Sequence, residues 1–290
     1  MTISVFSEKL NSAFNRHIGV NLSEMQVSQF FDFMNLLIEK NKVMNLTAIT
    51  EPDEIVIRHF VDSCSPIAFH DIICANSENA SASNINVLPT PKSNNDGNDV
   101  SQNQGGSALK DSVSNFFSNK KIVDIGTGAG FPGIPLAIMC PNAEFTLTDT
   151  LGKRINFLAE VVNKIGLQNT RLVKSRAEDF CHNFKYRESF DFAVARGVAK
   201  LSVLSEYLLP ALKIGGKMIS YKMKDVDEEL NESKSAIKIL GGKIYNFNGD
   251  KLSYGLIDGE PLRALIIINK ISKTPKQYPR KAGTPVKNPL

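Results

Sequence analysis

Apolar residues recur at two spacings along the chain, and the change between them divides it. Over residues 1–75 the spacing is helical: Val27, Phe30, Phe31, Met34, Leu37 and Ile38 fall on one face. Ser23 and Gln26 form a capping box that opens this helix, and Lys40, Asn41 and Lys42 mark its end. Glu51-Pro52-Asp53-Glu54 starts another helix, with acids in the first turn where the helix dipole favours them. From Lys121 onward, short apolar runs alternate with helical stretches. The runs at Ile122–Ile125, Glu144–Thr148, Thr170–Lys174, Phe190–Ala195 and Lys217–Lys222 predict five strands. Helices are predicted between them, one with Ile155, Leu158, Val162 and Ile165 on its apolar face and Gly166 as its stop, others at Leu201–Leu212 and Asp225–Leu240. Such alternation implies an α/β fold with a doubly wound, mostly parallel sheet. Lys243–Phe247 and Arg263–Asn269 close it as an antiparallel hairpin across a long polar loop.

Asn76–Ser107 breaks both patterns. It is rich in Asn and Ser and poor in large apolar residues, so it buries too little surface to offset the entropy of ordering. It is read as a disordered insertion, with a short amphipathic helix at Asp111–Phe117 beyond it. The organisation predicted is a helical region over 1–75, the insertion over 76–107, a catalytic domain over 108–270 and a basic tail over 271–290. Composition adds little: 42% hydrophobic and 22% charged residues are ordinary for a globular chain. Cys64, Cys74, Cys140 and Cys181 form no C-x-x-C pair, so neither a disulfide framework nor a metal site is predicted. No leader and no membrane-length apolar run is found, and a soluble, cytoplasmic protein is expected. The net charge of +4 permits a nucleic-acid partner without requiring one.

The chemistry starts at Lys121–Gly133, K-I-V-D-I-G-T-G-A-G-F-P-G. A strand, a glycine turn at Gly126, Gly128 and Gly130, and a helix opening near Pro132 is a layout in which backbone N–H groups face a ligand. Gly128, Gly130 and Gly133 satisfy G-x-G-x-x-G, so a nicotinamide dinucleotide and an oxidoreductase remain one alternative. Asp124 points elsewhere, because a carboxylate at this strand end would repel a pyrophosphate and suit a ligand carrying an ammonium and a sulfonium. S-adenosylmethionine is such a ligand, and D-x-G-x-G-x-G is similar to the first motif of class I methyltransferases. Asp149 ends the second strand in the window where ribose hydroxyls are held, or it caps the next helix.

The other strand ends carry Ala177-Glu178 and Arg196, which converge with the first two on one crevice. Glu178 could accept from an adenine amino group, or stand as a solvated acid. Arg196 could orient substrate or the donor's carboxylate, or form an ordinary ion pair. Arg196→Ala is expected to abolish transfer with the fold intact. His59 is read as a paired, structural histidine. Lys153 and Arg154 near the cleft, and Arg280 and Lys281 in a tail without acids, are the candidate RNA contacts. A non-catalytic RNA-binding protein on the same fold is the second alternative.

Several short stretches together resemble the bacterial 16S ribosomal RNA methyltransferase G family, also called glucose-inhibited division protein B. They are Asn45-Leu46-Thr47, Arg58-His59 with Asp62-Ser63, Asp124 to Gly133, Lys153-Arg154 with Phe157-Leu158, Arg176-Ala177-Glu178, Ala195-Arg196 with Ala199, and Tyr278-Pro279-Arg280-Lys281 with Gly283, Pro285 and Pro289-Leu290. The resemblance spans nearly the whole chain apart from Asn76–Ser107. It implies a donor site at Gly126, Phe131, Ala177, Glu178 and Arg196. It further implies methyl transfer from S-adenosylmethionine to N7 of a guanine in the 530 loop of 16S ribosomal RNA, on the small ribosomal subunit.

Overall fold

The structure is a computed structural model that describes residues 1–74, 116–197, 199–223, 226–245 and 251–290. The insertion predicted at Asn76–Ser107, and most of the helix predicted at Asp111–Phe117, lie outside the described residues.

Helix α1 (Ile3–Ile18) buries Phe6, Leu10, Ala13, Phe14 and Ile18 along one stripe. It stops at Gly19, whose φ of 78° lets its N–H turn back to the carbonyls of Phe14 and Asn15. Helix α2 (Glu24–Met44) opens on the predicted capping box, Gln26 N donating to Ser23 Oγ and Ser23 N to Gln26 Oε1. Its buried stripe is Val27, Phe30, Phe33, Met34 and Leu37. Phe31, also on the predicted stripe, is half-buried and packs on α1, its ring centre 5.2 Å from that of Phe6. After a turn at Asn45 come α3 (Pro52–Ile55), a π-helical turn (Val56–Val61), α4 (Asp62–Ala68) and α5 (His70–Cys74).

The rest is built on a sheet whose strands are β1 (Lys121–Ile125), β2 (Glu144–Asp149), β3 (Thr170–Lys174), β4 (Phe190–Arg196), β5 (Leu212–Met223), β6 (Gly242–Ile244), β7 (Leu252–Tyr254) and β8 (Arg263–Lys270). Their order is β3-β2-β1-β4-β5-β8-β6, with β7 also on β8. The pairs among β1 to β5 are parallel, and β8 runs antiparallel to β5, β6 and β7. Between the strands lie α6 (Gly133–Met139), α7 (Gly152–Ile165), α8 (Ala177–His182), α9 (Leu201–Leu208) and α10 (Asp227–Ile239), and α11 (Thr284–Lys287) lies in the tail.

Three boundaries differ from expectation. Strand β5 starts at Leu212, because the polar and glycine residues Lys213, Gly215 and Gly216 hide its first half; a register shift between Phe190 and Phe192 absorbs the irregularity. The helix predicted to reach Leu212 ends at Leu208 and tightens into a 3-10 turn, Leu209–Ala211, at Pro210. Strand β7 forms inside the predicted long polar loop.

The sheet is covered on both faces. On one face α6 and α7 share a continuous apolar cluster with the N-terminal helices, including Phe30, Phe33, Phe60, Phe131, Ile134 and Leu158. On the other, α9 and α10 pack with Val123, Ala193, Ala195, Met218 and Ile266. The N-terminal helices are therefore part of the same core as the sheet, and an aromatic chain runs from Phe14 through Phe30 and Phe60 to Phe131 in the glycine turn.

Candidate active site

The glycine turn follows β1, and three of its glycines, Gly126, Gly128 and Gly130, hold φ of 77°, 61° and 100°, a region only glycine enters freely. Its amides are not available to a ligand in the way the sequence suggested. Gly126 N and Thr127 N both donate to Thr148 O at the end of β2, Gly128 N donates to Asp149 Oδ2, and Gly130 N and Phe131 N donate to Thr127 O. A diphosphate needs free, convergent amides; here those five are spent within the protein.

Asp124 also differs from expectation. It is fully buried and is not among the residues lining the cavity. Its Oδ2 accepts from Thr127 Oγ1 at 2.7 Å and from Gly133 N at 2.9 Å, tying the two ends of the turn together. Burial pushes its pKa up to about 7, against the pull of Thr127 and Gly133. Asp124 is a brace beneath the cavity floor, and the charge it was expected to show the ligand does not reach the cavity surface.

Asp149 does line the cavity. Its Oδ1 accepts from Leu151 N, and its Oδ2 from Gly128 N and from Arg154 Nη1 at 3.2 Å. Asp149 is not the N-cap of α7, which is Leu151 with no side-chain cap; its carboxylate instead holds the Leu151 N–H just ahead of α7 and faces the crevice. Arg154, expected to reach for RNA, is turned inward against Asp149 and is itself part of the wall. Lys153 beside it is exposed.

Arg196 ends β4 and enters the cavity as the centre of a network. Its Nη1 donates to Asp62 Oδ2 at 2.9 Å and to Arg58 O at 3.1 Å, and its Nη2 donates to His59 Nδ1 at 2.9 Å. Asp62 Oδ1 accepts from Tyr254 Oη. Arginine can only donate, so His59 Nδ1 is an acceptor and the imidazole proton sits on Nε2, 2.8 Å from Thr47 Oγ1. Burial and the adjacent Arg196 push the His59 pKa down to about 3, so the ring is neutral at physiological pH. It stacks on Phe131 with centres 4.3 Å apart, and the Arg196 guanidinium lies 5.0 Å from the centre of the same ring. Asn45-Leu46-Thr47, the π-helical turn, the glycine turn and β4 thus meet at one point. π turns recur at functional sites because the wider turn re-aims side chains.

Glu178 begins α8, buried, and lines the cavity with Ala177. Its Oε1 accepts from Gly283 N at 3.0 Å, so the tail reaches this wall. Arg280, expected to contact RNA, forks onto Glu206: its Nε, Nη2 and backbone N all donate to that carboxylate, which is 1% exposed. Tyr207, next along α9, also lines the cavity, and burial followed by Glu178 pushes its phenol up to about 12. Lys281 is exposed. The tail is therefore packed structure carrying some exposed cations. Lys270, immediately before the tail, ends β8 and is buried.

The cavity of about 460 Å³ is bounded by these pieces, with Leu46, Ile125, Ala129 and Phe131 as apolar walls. Its size suits a small-molecule ligand. At Gly128 and Gly197, both lining it, an added Cβ would meet no protein atom within 4 Å, which leaves room for a ligand against the backbone. An apolar slot between an acceptor at Asp149 and an acceptor at Glu178 fits an adenosine with free hydroxyl and amino donors. The sequence missed Thr47, His59 and Tyr207 as lining residues. His59 carried a signal, a polar cluster with Arg58 and Asp62, but only the π turn shows which way it faces.

An open parallel sheet of this order, closed by an antiparallel strand, with a crevice at the strand ends and an acid ending the second strand, is the architecture of a class I, Rossmann-like methyltransferase, and the family match below makes it an S-adenosylmethionine-dependent one. Comparison with known proteins places the chain more narrowly. Residues 108–253 match the family described as rRNA small subunit methyltransferase G (GidB), and the chain belongs to this family. It is 40% identical over 275 residues to the Ribosomal RNA small subunit methyltransferase G of Desulforamulus reducens, covering 95% of each chain. It is 38% identical over 286 residues to the protein of that name from Clostridium novyi, covering 99% of this chain and 98% of that one. It is also similar to the solved structure of M. jannaschii TYW2 in complex with AdoMet, at 15% identity and a TM-score of 0.44, over 60% of this chain and 78% of that chain. The family match and the two relatives favour neither the nicotinamide alternative nor a non-catalytic RNA-binding protein.

Proposed function

We propose that this methyltransferase acts on the small-subunit ribosomal RNA named in its relatives' descriptions, at N7 of a guanine in the 530 loop, as the motif resemblance implies. When bound, S-adenosylmethionine supplies a sulfonium-activated methyl group. Gly126, Gly128, Phe131 and Ala177 shape the slot that would hold it. Asp149 accepts from the ribose hydroxyls, Glu178 from the adenine amino group, and Arg196 orients the donor carboxylate or the incoming base. Asp124 contributes from below by holding the turn. Lys153 and Lys281 are the exposed cations that would meet RNA phosphates. No helix among the described residues is long and apolar enough to cross a membrane, and the reading places the protein with ribosomes in the cytoplasm.

The observation that carries the choice of atom is the state of the groups that could take a proton. His59 has both nitrogens engaged and its pKa pushed down to about 3, the Tyr207 phenol is shifted away from ionising, and in this reading Asp149 and Glu178 are taken up by the donor's ribose and adenine. Guanine N7 offers an in-plane lone pair and loses no proton when it attacks a methyl group. Such a reaction needs positioning and charge management and no general base. The expected result of incubating the protein with methyl-labelled donor and unmodified small subunits is label at N7 of one guanine. Label on an exocyclic amine, on a cytosine, or on nothing despite donor binding would overturn the proposal.

A further inference from the structure

We propose that the C-terminal tail is a working part of the donor site, with tail docking and donor binding coupled through Glu178. This rests on the reading of the cavity as that site. Glu178 has two partners of different kinds: it faces the cavity, and its Oε1 takes the Gly283 N–H at 3.0 Å. Gly283 sits at φ 82°, so the turn that aims this N–H at Glu178 suits glycine.

The tail is held at both ends of that wall. His182 closes α8, the helix that Ala177 and Glu178 open, and its Nε2 lies 2.6 Å from Pro279 O. Arg187 donates to the carbonyls of Tyr278, Thr274 and Pro275. Arg280 is forked onto Glu206, next to the lining residue Tyr207 on α9. Tail residues 274–283 therefore bolt α8 to α9, the two helices that supply Glu178 and Tyr207. Neither Arg280 nor Gly283 lines the cavity; they are positioning residues that give the Glu178 carboxylate one orientation.

Two consequences follow from linkage. A donor that engages Glu178 favours the state in which Gly283 N–H also holds it, so donor binding tightens the tail, and a docked tail tightens donor binding by the same factor. Lys281 is exposed two residues before Gly283. A phosphate gripping Lys281 would act on the backbone that fixes Glu178, so RNA and donor would each raise the other's affinity, within the usual coupling range of about 5- to 150-fold.

The test uses the full chain and S-adenosylhomocysteine, the product form of the donor. In the wild-type protein, hydrogen exchange at the amides of residues 280–284 is expected to slow when the compound binds. Arg280→Ala is expected to weaken its affinity about tenfold while near-UV circular dichroism stays native, and Arg280→Lys to recover part of the loss. Tail amides that exchange at the same rate with the compound bound would overturn the coupling, as would a folded Arg280→Ala protein with wild-type affinity. If Arg280→Ala does not fold, the exchange measurement on the wild type decides alone. A wild-type protein that binds no S-adenosylhomocysteine removes the donor-site reading itself, a result distinct from the other two.

Discussion

At Asp124 a charge conspicuous in the sequence is taken up by the protein itself. Its folded pKa of about 7 lies above the ordinary 3.8, with burial the largest cause and the Thr127 and Gly133 hydrogen bonds opposing it. The folded protein holds this proton more tightly than the unfolded chain. The contribution to stability is complete below about pH 4, falls as pH rises, and is gone above about pH 7. The melting temperature of the wild type minus that of Asp124→Asn should therefore decrease between about pH 4 and about pH 7; a constant difference would show that the group does not titrate there. Arg196 shows the same tension between site and structure. Its removal leaves Asp62, 4% exposed, without its cation. Breaking such a buried pair costs about 3–5 kcal/mol, so Arg196→Ala should lose stability in thermal melts as well as transfer, contrary to the intact fold expected from sequence. Arg196→Lys keeps the charge but not the two-sided hold on Asp62 and His59, and should recover stability better than activity.

At the scale of elements, the glycine turn divides into positions that serve packing and positions that serve the ligand. A Cβ at Gly133 would lie 2.8 Å from both Asp124 Oδ2 and Leu147 Cγ, in a region with no room to give. Gly133→Ala should cost about 1–3 kcal/mol by overpacking, read as a lower melting temperature. Gly128 at φ 61° has nothing within 4 Å of that point. Gly128→Ala should cost only about 1–2 kcal/mol of backbone strain, yet weaken donor binding more than tenfold in a titration, because the methyl enters the cavity. If Gly128→Ala binds donor normally, the space over that glycine is not ligand space. These elements were legible in the sequence where their signal is local. The capping box, the strand–glycine–helix order and Thr170–Lys174 all lie where expected. Strand β7 and the start of β5 were not, since three residues in a polar loop and a run broken by Gly215-Gly216 carry no period; their pairing with β8 and β4 defines them.

Over the whole molecule, cations that look alike in sequence separate into two sets. Arg154 and Arg280 are consumed by Asp149 and Glu206, whereas Lys153 and Lys281 are exposed. Replacing both lysines by alanine should weaken RNA binding and lower its dependence on log salt by roughly 0.7 to 0.9 per cation removed, with the melting temperature unchanged. Arg280→Ala should not reproduce that pattern, because its charge is already paired. An unaltered salt slope in the double lysine variant would place the RNA elsewhere.

The sequence by itself determined the α/β class, the crevice at the strand ends and three of the residues that line it, Asp149, Glu178 and Arg196. Periodicity, glycine's access to positive φ and strand-end position are properties of neighbouring residues, so one pass along the chain contains them. Only the tertiary structure decided which of the candidate residues face the cavity and which are spent on the protein. Arg196 meets Asp62 across 134 positions, Arg280 meets Glu206 across 74, and Glu178 meets Gly283 across 105. A charge is free or neutralised according to what folding brings within about 3 Å of it, and hydrogen bonding at that range has no trace in local spacing.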